Sequence, residues 1–204
     1  MKNKHAIAVA MTGASGVLYG LRLLECLIKS KIKVYLMISK PAQMVIATET
    51  DLELPGRPEE MQIAFAEWYG ATAGQLFVFG KEQWTAPLAS GSSVPSAMVI
   101  CPCTSGTLSA IANGASNNLL ERAADVVLKE GRKLILVHRE TPLSTIHIEN
   151  MLKLSRMGVT ILPANPGFYH RPKNIEGIVD FVVARILDQL EVEHTLIPRW
   201  GAEG

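Results

Sequence analysis

The chain has 204 residues, 48% apolar and 19% charged, with a formal net charge of +1, the make-up of a globular domain with room for a sizeable core. So even a charge balance gives no electrostatic case for a nucleic-acid or membrane-surface partner, and no apolar run approaches the ~20 residues of a membrane span. Three cysteines, Cys26, Cys101 and Cys103, make no disulfide framework, and the apolar run after the basic start ends in a glycine turn without a cleavage site. A reducing, cytoplasmic protein is expected.

In chain order, β-rich apolar runs at 6–11, 33–39, 97–101, 133–138 and 159–163 read as strands. Helical patterns occupy about 17–30, 40–49, 59–69, 105–112, 118–130, 144–157 and 174–190. Strands that are apolar on both faces and alternate with helices predict a doubly wound, three-layer parallel α/β sheet. The segments 51–58 and 80–96 are polar, Pro/Gly/Ser-rich connections, too short for inter-domain linkers. A single domain is therefore expected, with a core at 5–190 and a tail at 191–204 whose Trp200 packs on its own or a neighbouring surface.

The first strand runs into Gly13, Ala14, Ser15 and Gly16, with Gly20 one turn on. Glycines there let backbone approach an anion, and a helix N-terminus offers free N–H groups and partial positive charge. The spacing is not G-x-G-x-x-G, and a tight turn without ligand is the plain alternative. Ser39 ends the second strand, Ser90-Gly91-Ser92-Ser93 precedes the third, and Thr104-Ser105-Gly106-Thr107 follows it. These hydroxyl-and-glycine edges are expected to converge on one end of the sheet and hold a phosphorylated ligand. A short-chain dehydrogenase would need Tyr169 and Lys173 on one helix, and Pro166 and Pro172 argue against that helix. It would also need an acidic residue after the second strand, where Ser39 and Lys40 stand.

Several stretches together resemble the flavin prenyltransferase (UbiX) family. They are Met11-Thr-Gly-Ala-Ser-Gly16, Ser39-Lys40, Ala47-Thr-Glu-Thr50, Ala89-Ser-Gly-Ser-Ser93 and Cys101-Pro-Cys-Thr-Ser105. They continue with NNLLERAADVVLKE at 117–130, Arg139-Glu-Thr-Pro142, His147-Ile-Glu-Asn-Met151 and Pro166-Gly-Phe-Tyr-His170. The resemblance spans about residues 5–190, and the run from Arg122 to Lys129 followed by Arg-Glu-Thr-Pro is its most specific part. One departure is visible: His138 stands where proline usually precedes the Arg-Glu pair.

The resemblance implies a Rossmann-like or flavodoxin-like fold related to flavin-containing cysteine decarboxylases, in trimers assembling to a dodecamer. It implies reduced FMN as the flavin and dimethylallyl phosphate as donor, with the dimethylallyl group joined to N5 and C6 without a metal. The product, prenylated FMN, would serve a UbiD-type decarboxylase in ubiquinone synthesis or aromatic-acid decarboxylation.

By the same resemblance, Gly13, Ala14, Ser15, Ser39, Ser90, Ser92, Thr104, Ser105, Gly106, Thr107 and Arg122 hold the flavin. Lys129, Arg139, Tyr169 and Arg185 grip the prenyl phosphate. The chain has no Asp-Asp-x-x-Asp cluster, and cationic side chains suit a phosphate leaving group. Glu140 is the implied acid/base at C6, Glu49 couples with Ser15 near N5, and Trp84 lines the prenyl site with its π-face.

Read without the resemblance, these residues have plainer roles. Lys129 and Arg185 fit solvated helix faces, Glu140 an ion pair with Arg139, and Trp84 a loop anchor. Arg122 fits i,i+3 pairing on its own helix. His147 and Glu149 are two apart on a helix and face different ways, so no metal is expected there, and Cys101 and Cys103 read as core residues. An FMN-dependent decarboxylase and a non-catalytic flavin carrier are the rival functions. The first has no phosphate leaving group to bind, and the second has no proton for Glu49 and Glu140 to move.

Overall fold

The computed structural model describes residues 6–198; the expected packing of Trp200 lies outside the described residues. Six strands form one parallel sheet: β1 (Ile7–Met11), β2 (Val34–Ile38), β3 (Leu76–Phe79), β4 (Ala97–Cys103), β5 (Lys133–His138) and β6 (Thr160–Ile161). Their order is β3-β2-β1-β4-β5-β6, the doubly wound arrangement expected from the alternating pattern. The helices are α1 (Val17–Lys29), α2 (Lys40–Glu49), α3 (Pro58–Tyr69), α4 (Ser105–Ala112), α5 (Leu119–Lys129), α6 (Thr145–Arg156) and α7 (Ile175–Gln189).

The two faces of the sheet bury separate cores. Ile7, Val9 and Met11 of β1 pack with residues of α1 and α7, whereas Ala8 and Ala10 pack with residues of α4 and α5. Burial on both faces is why these strands lack polar alternation. An ion pair from Arg22 Nε to Asp180 Oδ1 (2.7 Å) ties α1 to α7 on the first face.

Strand β3 has no counterpart among the expected strands. It is only four residues long, and its place is fixed by tertiary contacts: Leu76 pairs with Val34 and Phe79 with Met37. Gln75 locks its entry, with Nε2 donating to Ile28 O (2.7 Å) and Ile32 O (3.1 Å).

At the other side of the sheet, β6 is shorter than the run at 159–163 suggests. Strand β4 runs two residues beyond its expected end, through Pro102 to Cys103, with a register shift between Ile100 and Cys103. A regular strand would put Cys101 and Cys103 on one face; the shift sends Cys101 to the first core and Cys103 to the second.

Ser39, Thr104, Asn118, Ser144 and Asn174 each cap a helix, the side-chain oxygen accepting the backbone N–H of the third helical residue. The first three of these caps follow or adjoin strand ends and bring helix N-termini to the C-terminal edge of the sheet.

Candidate active site at the switch point

The chain leaves β1 toward β2 and leaves β4 toward β5, so the connections diverge between β1 and β4. A crevice outside those two strand ends is where doubly wound sheets place ligands. Its floor is pinned by Thr12, which is 3% exposed. Thr12 N and Oγ1 both donate to Pro102 O (3.1 and 2.8 Å), and Thr104 N donates back to Thr12 Oγ1 (2.9 Å).

A cavity of about 340 Å³ opens above this floor, lined among others by Gly13, Ser39, Lys40, Lys81, Thr104 and Thr107, a size suited to a small ligand. Gly13 is required: a Cβ there would lie 2.4 Å from Pro41 Cβ. Ser39 Oγ accepts from Ala42 N (3.2 Å) and Thr104 Oγ1 from Thr107 N (3.1 Å). The first-turn amides of Ser105 and Gly106 have no intrahelical partner, and Lys40 and Lys81 add positive charge. Hydroxyls, helix N-termini and two lysines around an apolar slot fit a flavin mononucleotide.

Thr12 and Lys81 were not among the sequence candidates. Thr12 sits inside the Met11–Gly16 glycine loop, where its hydroxyl is the signal that marks it. Lys81 follows the unrecognised β3.

The first glycine turn departs from expectation. Gly16, with φ of 97°, directs its N–H to Glu49 Oε1 (3.1 Å) and Oε2 (2.9 Å), and Val17 N donates to Oε2 (3.1 Å). The amides expected to be free for phosphate are taken by a carboxylate, because α2 ends beside the start of α1 and a negative charge is favoured there. Anion-binding capacity passes mainly to the α4 N-terminus, because in α2 Pro41 has no N–H and Ala42 N is taken by Ser39 Oγ. Glu49 is thereby held one residue from the exposed Ser15.

A second cluster forms the rim beyond β5. Arg139 Nε donates to Ser15 O (3.2 Å). Ser105 Oγ donates to Glu140 Oε2 (3.1 Å), and Thr141 N donates to Oε1 (3.2 Å). The Ser105 hydroxyl first, and the Thr141 amide second, hold the Glu140 carboxyl below the usual range. Ser105 Oγ also lies 3.0 Å from His138 Nε2. His138 is 3% exposed, and burial and the nearby His147 push its pKa down.

The remaining candidates do not line this cavity. Helix α5 starts at the crevice with Asn118 and Leu119 and ends at Lys129, about 15 Å along its axis. The Ser90–Ser93 turn sits at that far end: a Cβ on Gly91 would meet Glu130 Oε1 and come within 3.1 Å of Lys129 Nζ. The expected convergence of three hydroxyl edges therefore fails for Ser90 and Ser92, since a segment preceding a parallel strand lies at its N-terminal edge. Their hydroxyls are 3.2 Å apart.

Lys129 pairs with Glu130 (2.5 Å), Arg185 with Asp188 (2.6 Å), and Arg122 with Asp125 (2.8 Å) while donating to Ala89 O (3.2 Å). Trp84 is 48% exposed, and Tyr169 stands edge-on to Phe181 with ring centroids 5.8 Å apart. Cys101 and Cys103 are fully buried, which pushes both thiols up, Cys103 to about 12; they are inert core. Among the described residues no group of three His, Cys, Asp or Glu is placed to hold a metal, and no helix is long and apolar enough to cross a membrane.

Fold and crevice define a doubly wound flavin-binding type of protein, and the family description Flavoprotein matches residues 1–187. The flavin prenyltransferase UbiX of Pseudomonas aeruginosa is 60% identical over 203 residues, covering 100% of this chain and 97% of its own. A UbiX (PadA1) crystal structure in complex with FMN and dimethylallyl pyrophosphate superposes with a TM-score of 0.86 at 38% identity, covering 98% of this chain and 99% of that one. A dodecameric FMN-dependent UbiX-like decarboxylase from Escherichia coli O157:H7 gives 0.85 at 42%, covering 97% and 100%. The chain belongs to the flavin prenyltransferase (UbiX) branch of the Flavoprotein family.

Proposed function

We propose that this chain is a flavin prenyltransferase that binds reduced FMN at the switch-point crevice and transfers a dimethylallyl group to it from dimethylallyl phosphate. The observation that carries this reading is the pairing of an anion-binding crevice with two positioned carboxylates, Glu49 and Glu140, in a chain 60% identical to a flavin prenyltransferase. When bound, reduced FMN supplies N5 and C6 as the atoms that take the new carbon bonds.

Ser39, Thr104 and Thr107, with the Ser105 and Gly106 amides, bind the flavin's phosphate and polar edge. Arg139, fixed on Ser15 O, takes up the charge that the departing phosphate gains as its C–O bond breaks, and Tyr169 and Arg185, which do not line this chain's crevice, are the proposed further donors to that phosphate. Glu140, kept ionised by Ser105 and Thr141, accepts the proton that leaves C6. Glu49, held on the α1 amides beside Ser15, manages the proton at N5.

Lys129 and the Ser90–Ser92 turn stand at the far end of α5 from the crevice of their own chain. A homo-oligomer, trimers building toward a dodecamer, would supply them from neighbouring copies. Exposed Ile146, Ile148, Leu152 and Met157 on and just after α6 support such contacts, as does the dodecameric relative. A UbiD-type decarboxylase in the cytoplasm is the proposed recipient of the product. The test is whether the purified protein adds one C5 unit to reduced FMN in the presence of dimethylallyl phosphate. A direct decarboxylase or a carrier would leave the flavin unchanged.

A further inference from the structure

The buried His138, at the end of β5, also belongs to the rim cluster. We propose that His138 is a positioning residue for Glu140: its Nε2–H donates to Ser105 Oγ and so commits the Ser105 hydroxyl proton to Glu140 Oε2.

The direction of these bonds follows from counting protons. A serine hydroxyl has one proton to donate, and its oxygen can also accept. Ser105 donates to Glu140 Oε2 at 3.1 Å, and an ionised carboxylate can only accept. The contact to His138 Nε2 at 3.0 Å must then carry a proton from the ring, which fixes the Nε2–H tautomer. The ring is buried, and the backbone is held on both sides by Arg139 N donating to Cys103 O (3.2 Å) and Ala164 N donating to His138 O (3.0 Å). A proline at this position has no such donor.

Around the pair stand Arg139 beside Glu140, His147 from α6 with its ring centroid 6.1 Å from that of His138, and the buried Cys103 from β4. His147 Nδ1 accepts from Ser144 N at 3.2 Å as part of the α6 cap, so the cluster is braced from that side as well. Without the His138 donor the Ser105 hydroxyl is free to rotate away, and Glu140 takes up a proton more readily.

This inference rests on Glu140 acting as the proton acceptor in the proposed transfer. Two readouts test it. One is the carboxyl titration of Glu140, followed by ¹³C NMR in the flavin-free protein; the other is the acid limb of the pH–rate profile for prenyl transfer. In His138→Phe both move to higher pH by about one unit, a tenfold change in proton affinity. His138→Pro, a second variant without the donor, gives the same shift. His138→Gln, whose amide nitrogen reaches the same place, keeps the wild-type values. In a Ser105→Ala background the His138→Phe change moves the titration no further. An unmoved Glu140 titration in both donor-free variants would overturn the proposal. Absence of any prenylated flavin from the wild type would instead overturn the functional reading, while the flavin-free titration still decides the role of His138.

Discussion

Glu49 closes the N-terminus of α1, its Oε2 accepting from Gly16 N at 2.9 Å and from Val17 N at 3.1 Å. A carboxylate 33 residues away in sequence thus does what an N-cap side chain does locally. Glu49→Ala leaves both amides without this partner and is expected to cost about 1–2 kcal/mol. Glu49→Gln, which still accepts but without charge, loses less. Urea unfolding of the two variants checks the order.

Thr12 joins the ends of β1 and β4 under the crevice through three hydrogen bonds, two of them involving its hydroxyl. Thr12→Val keeps the volume and leaves Pro102 O one donor short and Thr104 N unpaired. A loss of about 2 kcal/mol is expected, together with weaker FMN binding, because the Thr104–Thr107 turn is no longer fixed. Denaturation and flavin fluorescence titration measure the two effects separately.

How much of this was legible in the sequence differs from residue to residue. The strands flanking the switch point are continuous apolar runs that end in Thr12-Gly13 and Thr104-Ser105, so period and punctuation suffice to find them. Strand β3 was not legible, because four apolar residues acquire strand geometry only from their register with β2. Glu49 was legible as a site residue through resemblance, but its seat on the α1 amides depends on where α2 ends in space. Ser90 and Ser92 stand away from the crevice of their own chain for a topological reason: residues before a parallel strand and residues after it lie at opposite edges of the sheet. The role of Ser105 between His138 and Glu140 is a contact between two strand ends, which spacing alone does not encode.

His138 also links stability to pH. Unfolded, its imidazole takes a proton near pH 6.5; folded, burial first and His147 second hold its pKa lower. Between those values the unfolded chain binds more protons, so stability rises with pH across the window and is lost as pH falls below about 6.5 toward the folded value. His138→Gln removes this contribution. Unfolding free energies of both proteins at pH 7.5 and at successively lower pH should therefore diverge in that direction.

Lys129 and Glu140 belong to opposite edges of one sheet. If neighbouring copies combine them into one site, Lys129→Ala and Glu140→Gln are each strongly impaired alone. Dissociated and reassembled together in equal amounts, they recover about a quarter of wild-type sites by random pairing. No recovery would mean that the two residues act within one chain.

The most direct measurement is the mass of the flavin released after anaerobic incubation of the purified protein with reduced FMN and dimethylallyl phosphate, without added metal. The account predicts FMN heavier by one C5H8 unit, with formation strongly reduced in Glu140→Gln. Unmodified FMN bound tightly by a folded wild-type protein would contradict it.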